Sequence, residues 1–550
     1  MLPSLLATAM SFAGTGAWSA DEPFEHASLL PRDVTVYVHV DRASRLRGEL
    51  AGKPLGDTLQ RAFERSAFRE AWSQLAGMVG AEQGELFDRL MGANATVAVR
   101  ALGGGGPVGD GGAAGERDWV ALLQVDEPTW AECLSRLKPR IRRGPGKVVV
   151  RELPEQNLLM ARVGGITIVG PGRDAKSGLF AEVLSGWGDA TVLRLSQDPG
   201  MTAARDLGEG DVGVFLRHEE PMGGATAAVL EFDTSAVSVR HVSRFASSPF
   251  GASPRPTTLT QDVIDRLGDG RVAVVAHPLR MPPGELGGFI RAQLPAGAVT
   301  PAMQDNLGER MLVMVGERRD APAEDATPLL TFTLAMEVRA TDRALIDLDQ
   351  FMIGFIGMLH DLVGEQAPPG MERLRNLPAE TARSADVSRV GRLLLPNLPE
   401  AGSLTLHWTV SNADQSPRSP AEAAARGWWI IGTDGAELVA VREQLRVPAP
   451  PAALEFDLPG QRGRVDGRAA SRHLARFGDV LAAIAREQGE SPEAIEVMSR
   501  FLADLADDVE TCDWSTAIPG QNRLKSTWTL RLRSAGSEKQ PVNDSDCRRP

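Results

Sequence analysis

Five acidic side chains crowd the point where a predicted helix ends near the carboxyl end of the chain. They are Asp504, Asp507, Asp508, Glu510 and Asp513. Carboxylates at a helix C-terminus oppose the helix dipole and invite a compensating cation, which outside a cell would be Ca²⁺. The spacing is not that of an EF-hand, and the required turn glycine is missing. The pattern therefore favours a solvated acidic loop, with Asp507, Asp508, Glu510 and Asp513 as the candidate metal ligands.

A glycine-containing turn, Gly170–Ser177, lies between a predicted strand and a predicted helix. This is the context of a phosphate-binding loop, but Ala175 stands where the G-x-x-x-x-G-K-[ST] pattern needs glycine. A similar turn, Gly432–Glu437, contains no lysine. We therefore interpret both turns as architectural and expect neither a nucleotide nor any other cofactor.

A basic run follows a predicted helix in the first half of the chain. It consists of Arg136, Lys138, Arg140, Arg142, Arg143 and Lys147. Cations are favourable at a helix C-terminus, so the run is typical of a solvated helix end. The alternative is a surface for anionic lipid head groups or for an acidic partner.

No local catalytic motif is present in the sequence. The eight histidines are scattered without an H-E-x-x-H pattern, and there is no G-x-S-x-G turn. His39 and His277 stand near the ends of corresponding strands, which favours a packing role for both. Cys133 shares a helix face with Trp130, which predicts a buried thiol. We expect no catalytic residue, although a triad assembled from distant strands would leave no local motif.

Cys512 and Cys547 either pair or remain free thiols. The chain has only these two and Cys133 among its 550 residues, which excludes a disulfide scaffold. Hydrophobic residues make up 43% and charged residues 24%, an ordinary globular balance. The net charge of −13 argues against a polycation that binds nucleic acid. The length suggests about three or four domain-sized units.

The first 19 residues carry no charged side chain and contain a short apolar stretch followed by Ala17-Trp18-Ser19. This pattern predicts a signal peptide at 1–19 and an extracytoplasmic protein, periplasmic or secreted. The most apolar later segment, Phe351–Val363, includes His360 and Asp361 and is shorter than the roughly 20 residues of a spanning helix. We therefore expect no transmembrane span in the mature chain.

The body of the chain alternates strand-like and helix-like stretches, and its order repeats. Gly165–Gly170 and Gly427–Gly432 are both apolar strands that lead by a short turn into a helix. We predict an α+β fold of two related halves, each a largely antiparallel sheet with helices packed on it. The predicted parts are a first half at 20–246, a linker at 247–258, a second half at 259–533 with extra helices at 471–504, and a polar tail at 534–550.

The last predicted strand, Arg523–Arg533, shows the clearest alternation in the chain. Leucines and Trp528 alternate with arginine, lysine and threonine. Period-two alternation predicts that Trp528 faces a core and that the charged face meets water or an acidic partner.

The opening Leu29–Val34, the strand after it and the paired strand–turn–helix units resemble a family of exported bacterial proteins known only as a domain of unknown function. The resemblance covers most of residues 28–535. It implies export and a duplicated α+β body, and it supplies no catalytic residues.

These observations favour a non-enzymatic envelope protein that binds or scaffolds an envelope or protein partner. Two alternatives stay open. One is an exported hydrolase without a local motif. The other is a carrier of an apolar ligand, suggested by the apolar helix Met352–Leu359, whose simpler interpretation is a buried packing helix.

Overall fold

A computed structural model shows a mostly antiparallel α+β protein. It describes residues 23–41, 50, 53, 55–58, 61, 94–100, 118–145, 148–155, 157–172, 178–187, 189, 191–218, 223–233, 235–246, 261–278, 306–317, 330–339, 344–352, 355, 389–393, 404–412, 427–446, 460–487, 493–520 and 522–533. The predicted signal peptide, linker and polar tail, and Cys547, lie outside the described residues. The chain divides into two compact units.

The first unit contains one antiparallel sheet. Its strands, numbered in chain order, are β1 (Val36–Asp41), β2 (Asn94–Arg100), β3 (Asp118–Leu123), β4 (Arg140–Arg143), β5 (Val149–Leu153), β6 (Leu158–Val163), β7 (Ile166–Pro171), β8 (Val212–Arg217), β9 (Ala225–Phe232), β10 (Ala236–Arg244) and β19 (Arg523–Leu532). Their order is β19–β10–β9–β8–β1–β2–β3–β7–β6–β5–β4.

Helices pack on both faces of this sheet. Helix α1 (Glu127–Leu137) covers one face with Trp130, beside Leu153 and Met160. Helix α2 (Gly178–Ser185) covers the other with Phe180, and α3 (Pro199–Ala204) packs on β9 and β10. Gly170 on β7 is required here because a β-carbon would lie 2.9 Å from the Phe180 side chain.

Local sequence explains where α1 begins and ends. The carboxylate of Asp126 accepts a hydrogen bond from the backbone N–H of Thr129 at 2.6 Å, and Pro128 lies in the first turn. These are favourable N-terminal residues because they satisfy or remove unpaired N–H groups. Lys138 ends the helix in a left-handed conformation at φ 47° and turns the chain towards β4.

The second unit also contains an antiparallel sheet. Its elements are α4 (Gln261–Gly268), β11 (Ala273–Pro278), β12 (Leu307–Glu317), β13 (Leu330–Val338), β14 (Arg389–Leu393), β15 (Leu404–Asn412), β16 (Gly427–Gly432), α5 (Gly435–Arg446), β17 (Gly460–Asp466) and most of β18 (Val509–Gly520). The strand order is β18–β17–β11–β12–β13–β16–β15–β14.

Apolar residues cover both faces of the second sheet. Helices α4 and α5 pack on one face around Trp428 and Ile430. The helical stretch 344–352 packs on the other, where Met352 is fully buried and the Phe351 ring stacks on Trp429 at 6.2 Å. The described part of the helix considered for an apolar ligand is therefore a packing layer.

The division of the chain differs from the predicted domains. The extra helices, α6 (Gly467–Glu487) and α7 (Glu493–Asp507), form as expected, but Ser471–Glu510 and the chain from Asn522 belong to the first unit. Strand β19 explains part of this, since its residues from Arg523 to Arg531 pair with β10 of that unit. No helix within the described residues is long and apolar enough to cross a membrane.

The final strand shows the expected alternation with one difference. Ser526 and Leu532 on the apolar face are buried, and Thr527 and Arg531 on the other face are exposed. Trp528, opposite Val239 of β10, is only half-buried. The acidic partner of the charged face is within the chain, since Arg523 and Lys525 lie 2.6 and 3.9 Å from the carboxylate of Asp206.

We expect Trp528→Ala to lower the free energy of unfolding by about 1–3 kcal/mol, less than the roughly 3–5 kcal/mol for a fully buried tryptophan. Arg531→Ala on the exposed face should change it by less than about 0.5 kcal/mol. Urea unfolding followed by circular dichroism measures both values. Equal losses in the two variants would contradict the assigned faces.

Candidate functional site

The basic run contains a strand that the sequence did not predict, β4, at one end of the first sheet. It pairs with β5 from Arg140 opposite Glu152 to Arg143 opposite Val149. No other strand within the described residues pairs with it. All four of its residues are exposed, and Ile141 is 75% exposed. The strand therefore presents one row of backbone N–H and C=O groups that its own sheet leaves open.

The arginines of β4 lie on both faces of the strand. Alternation places Arg140 and Arg142 on one face and Ile141 and Arg143 on the other. Arg142 contacts the carboxylate of Glu152 on β5 at 2.6 Å. Arg140 and Arg143 form no ion pair with any described residue. Two cations and one apolar side chain therefore remain available along this edge.

The neighbouring basic residues have separate environments. Arg136, in the last turn of α1, forms an ion pair with Glu132 one turn earlier. Lys138 is the left-handed residue that ends the helix. Lys147 lies outside the described residues. The prediction of a dipole-matched helix end therefore describes Arg136, whereas Arg140–Arg143 form a sheet edge.

An open cavity of about 380 Å³ lies beside the end of β4. Arg143, Gly144 and Pro145 line one side of it, and Ala181, Glu182 and Ser185 of α2 line the other. It is large enough for one or two side chains of an added segment.

The candidate metal ligands do not converge. Asp507 accepts a hydrogen bond from Arg533 at 2.9 Å, and Asp513 lies 4.0 Å from Arg464. Asp508 is buried and Glu510 is exposed. Within the part of the chain that the structure describes, no three such residues are arranged to hold a metal ion. Arginines thus supply the positive charge that Asp507 and Asp513 need.

Carboxylates also occupy the two helix starts considered as phosphate loops. The Asp118 carboxylate accepts a hydrogen bond from the backbone N–H of Leu179 at 2.6 Å, at the start of α2. Asp434 accepts from the N–H of Glu437 at 2.8 Å, at the start of α5. An anion is favourable at a helix N-terminus, and here the chain provides its own. This supports the architectural interpretation of both turns.

Asp118 also belongs to an ion-pair network around Arg100. The guanidinium donates to both carboxylate oxygens of Glu182 at 2.9 Å, to Asp118 at 2.8 Å and to Asp33 at 2.9 Å. The hydrogen bonds with Glu182, Asp118 and Asp33 raise the pKa of Arg100. The network links β2, β3 and α2, and it positions the wall of the cavity that contains Glu182.

A buried histidine pair was missed by the sequence analysis. Nδ1 of His26 and Nδ1 of His39 lie 2.7 and 2.8 Å from the same oxygen, Oγ1 of Thr96. Burial lowers the pKa of His26 to about 4, and burial together with His26 lowers that of His39 to about 3. The three residues are far apart in sequence and meet through the pairing of His39 with Thr96 across β1 and β2.

His39 and His277, which the sequence places near the ends of corresponding strands, differ in burial. His39 shares its face of β1 with Tyr37 and is fully buried. His277 is half-buried and alternates with the core residues Val274 and Ala276 of β11. The two rings therefore lie in different environments, His39 among buried residues and His277 on the face opposite Val274 and Ala276.

The two described cysteines are free thiols. Cys133 is buried on α1, as predicted. Burial and the neighbouring carboxylate of Asp513 raise the pKa of Cys512 to about 11, so its thiol is protonated and a poor nucleophile at neutral pH.

Comparison with known proteins identifies no relative: no family model, no curated protein and no solved structure matches the chain.

Replacing Asp118 with asparagine should lower the free energy of unfolding by about 1–3 kcal/mol, because a buried carboxylate that caps α2 and pairs with Arg100 loses its charge. Asp33→Asn is the matched control, since Asp33 is an exposed partner of the same arginine; its cost should stay below about 1 kcal/mol. Urea unfolding compares the two. Indistinguishable losses would mean that Asp118 has no special role in this network.

Proposed function

We propose that this chain is a non-enzymatic binding module and that β4 is its binding edge. The partner is an extended acidic segment of another protein, which joins the first sheet as an added strand. The observation that carries the proposal is a basic strand, exposed along all four residues, at the end of the sheet order.

Backbone geometry supports strand addition. In an antiparallel pair, every second residue of β4 directs its N–H and C=O away from β5. Added strands use such groups for affinity and use alternate side chains for specificity. The open cavity beside Arg143 offers a place for one of those side chains.

The distribution of charge favours an acidic peptide over a membrane. Arg140 and Arg143 lie on opposite faces of the strand, so a flat lipid surface would meet only one of them. An extended peptide that lies along the edge has side chains on both faces and can present a carboxylate to each. Ile141, 75% exposed between them, suits an apolar residue of the same peptide.

The histidine pair gives no support to the hydrolase alternative. A general base works best with a pKa near the operating pH. The lowered pKa values of His26 and His39, about 4 and about 3, fall well below neutral pH, and His39 is fully buried.

We also propose that the protein is exported. The resemblance of Leu29–Val34 to exported proteins of unknown function supports this proposal. Cleavage after Ser19 would leave Pro23 and the buried residues that follow it, such as His26 and Leu30, within the mature chain. Expression of the full chain with its own start, followed by amino-terminal sequencing, should give a protein that begins just after Ser19. An intact Met1 on protein retained in the cytoplasm would contradict export.

The proposal of two related halves rests on strand order. The first sheet contains the sequence β8–β1–β2–β3–β7–β6–β5, and the second contains β17–β11–β12–β13–β16–β15–β14. Each strand of the first series has a counterpart at the same place in the second. β7 and β16, the strands of the repeated strand–turn–helix units, match in this way. This agreement supports a duplication.

The binding edge is tested with a short labelled peptide in which glutamate alternates with valine. Fluorescence anisotropy should show binding that weakens with salt, and the double variant Arg140→Glu/Arg143→Glu should lose at least about tenfold in affinity. The matched control is Arg468→Glu/Arg500→Glu, which makes the same charge change at exposed positions of α6 and α7 and should change affinity less than about twofold.

A second peptide separates strand addition from simple charge attraction. Methylation of alternate backbone nitrogens removes hydrogen-bond donors and leaves the charges in place, and it should abolish most of the binding. Unchanged binding of the methylated peptide would overturn the strand-addition model. Binding of the chain to anionic vesicles through Arg140 and Arg143, with no binding of the peptide, would overturn the acidic segment as partner.

A further inference from the structure

We propose that Pro23–Pro31 forms an amino-terminal strap that is closed over the first sheet at neutral pH and released in mild acid. The cluster of His26, Thr96 and His39 is the lock. This inference concerns a different part of the first unit from β4 and does not depend on the proposed function.

The front of the strap packs against strands β1 and β8. Pro23 is buried, and its carbonyl lies so close to Gly213 that a β-carbon there would come within 1.8 Å of it. The Phe24 ring lies 6.0 Å from the ring of Tyr37. Gly213 is the residue of β8 directly opposite His39, so the front of the strap crosses the sheet at the histidine.

The rear of the strap is held by a separate set of bonds. The backbone N–H of Leu195 donates to the carbonyl of Leu30 at 2.9 Å, and the Arg194 guanidinium donates to the carbonyl of Leu29 at 3.1 Å. Leu30 is fully buried. These bonds contain no group that titrates between pH 7 and 4, so the pH response is confined to the front.

The lock has both of its hydrogen bonds and no buried charge when both imidazoles are neutral. The single hydroxyl hydrogen of Thr96 can be donated to one Nδ1, while its oxygen accepts from the N–H of the other ring. This arrangement needs one imidazole in each tautomer. The ring centroids lie 5.4 Å apart, and Nε2 of His39 has no hydrogen-bond partner among the described residues. A proton on the accepting Nδ1 would remove the bond that the threonine hydroxyl donates to it, and a proton on either ring would bring a charge into a buried site.

Few charged groups surround the cluster. On the strap, Glu25 is exposed and accepts a hydrogen bond from Asn94 at 2.6 Å. On β1, the phenol of Tyr37 and the buried Asp41 share the face of His39, and β2 contributes Asn94 and Thr96. On β8, Gly213, Phe215 and Arg217 share one face, and the buried Asp211 lies just before the strand. Neither imidazole forms an ion pair or hydrogen bond with a carboxylate of the described chain, so no such bond stabilises its charged form.

The direction of the pH response follows from the two pKa values. In the closed state they are about 4 for His26 and about 3 for His39, whereas a released strap returns both towards 6.5. The released state therefore binds protons first as the pH falls. The closed state therefore has its full stability above pH 6.5. Below that pH the equilibrium constant for strap closure falls by up to about tenfold per histidine for each pH unit, until about pH 4 for His26 and about pH 3 for His39.

Hydrogen exchange of the full chain tests the strap, with protection corrected for the intrinsic pH dependence of exchange. The reporter amides are Ala27 and Leu29, which donate to the carbonyls of Phe24 and His26, and amides of α2 report on the unit as a whole. Between pH 7 and 5, protection of the reporters should fall by at least about tenfold while the amides of α2 remain better protected than the reporters at every pH. Equal protection of the reporters and of α2 would mean that the strap opens only when the whole unit unfolds and would overturn the proposal, as would constant protection of the strap.

The double variant His26→Gln/His39→Gln keeps amide groups that can bond Thr96 but cannot titrate, so its strap protection should not change with pH. The single variant His26→Gln serves if the double variant fails to fold. It should halve the change in the logarithm of strap protection between pH 7 and 5. His218→Gln is the matched control, because His218 also bonds a threonine, Thr226 at 2.7 Å, in the same unit but away from the strap. A full pH response in the strap of the glutamine variants, or its loss in the control, would overturn the assignment of the lock.

Discussion

Each strand of an antiparallel sheet needs a neighbour on both sides to pair all of its backbone N–H and C=O groups. In the first unit, β4 is an edge strand of the sheet. Strands such as β1, β3 and β7 have a partner on each side, whereas β4 has β5 alone within the described chain. An open edge invites further pairing, and proteins often protect it with charge. Arg140 and Arg143 discourage a second copy of the same basic edge. In the proposed binding edge, the same two residues favour an acidic strand as the partner.

Charged side chains also satisfy unpaired backbone groups at three helix starts. Each is a place where an anion would be favourable, and each is filled by a carboxylate from the chain: Asp126 at α1, Asp118 at α2 and Asp434 at α5. The charge of Asp118 is balanced by Arg100, which also donates hydrogen bonds to Glu182 and Asp33. The start of α2 is thus joined through Asp118 to an ion-pair network that connects this helix to the sheet and includes Glu182 of the cavity next to β4.

Local signals in the sequence predicted local structure well. The Asp126 cap with Pro128, the alternation of β19 and the helices at α6 and α7 were all visible as short-range patterns. The α+β class followed from their order. Period-two alternation alone did not predict that Trp528 would be half-buried, because the extent of cover over a strand depends on distant elements.

The candidate site could not be predicted in the same way. Arg140–Arg143 has the composition of a solvated loop. Its place at the edge of the sheet depends on the order of all the strands, and residues far along the chain contribute to that order. The histidine lock depends on register, since His26 and Thr96 are 70 residues apart and a shift of one residue would turn His39 to the opposite face. The acids near α7 suggested a metal, but arginines from distant strands neutralise two of them.

The most direct test of the binding edge is amide exchange at β4 itself, measured residue by residue with and without the alternating glutamate–valine peptide. Strand addition predicts that protection rises at every second amide between Arg140 and Arg143, those directed away from β5, while the amides already bonded to β5 change little. Peptide binding that leaves all four amides unprotected, or protects them equally, would contradict the account.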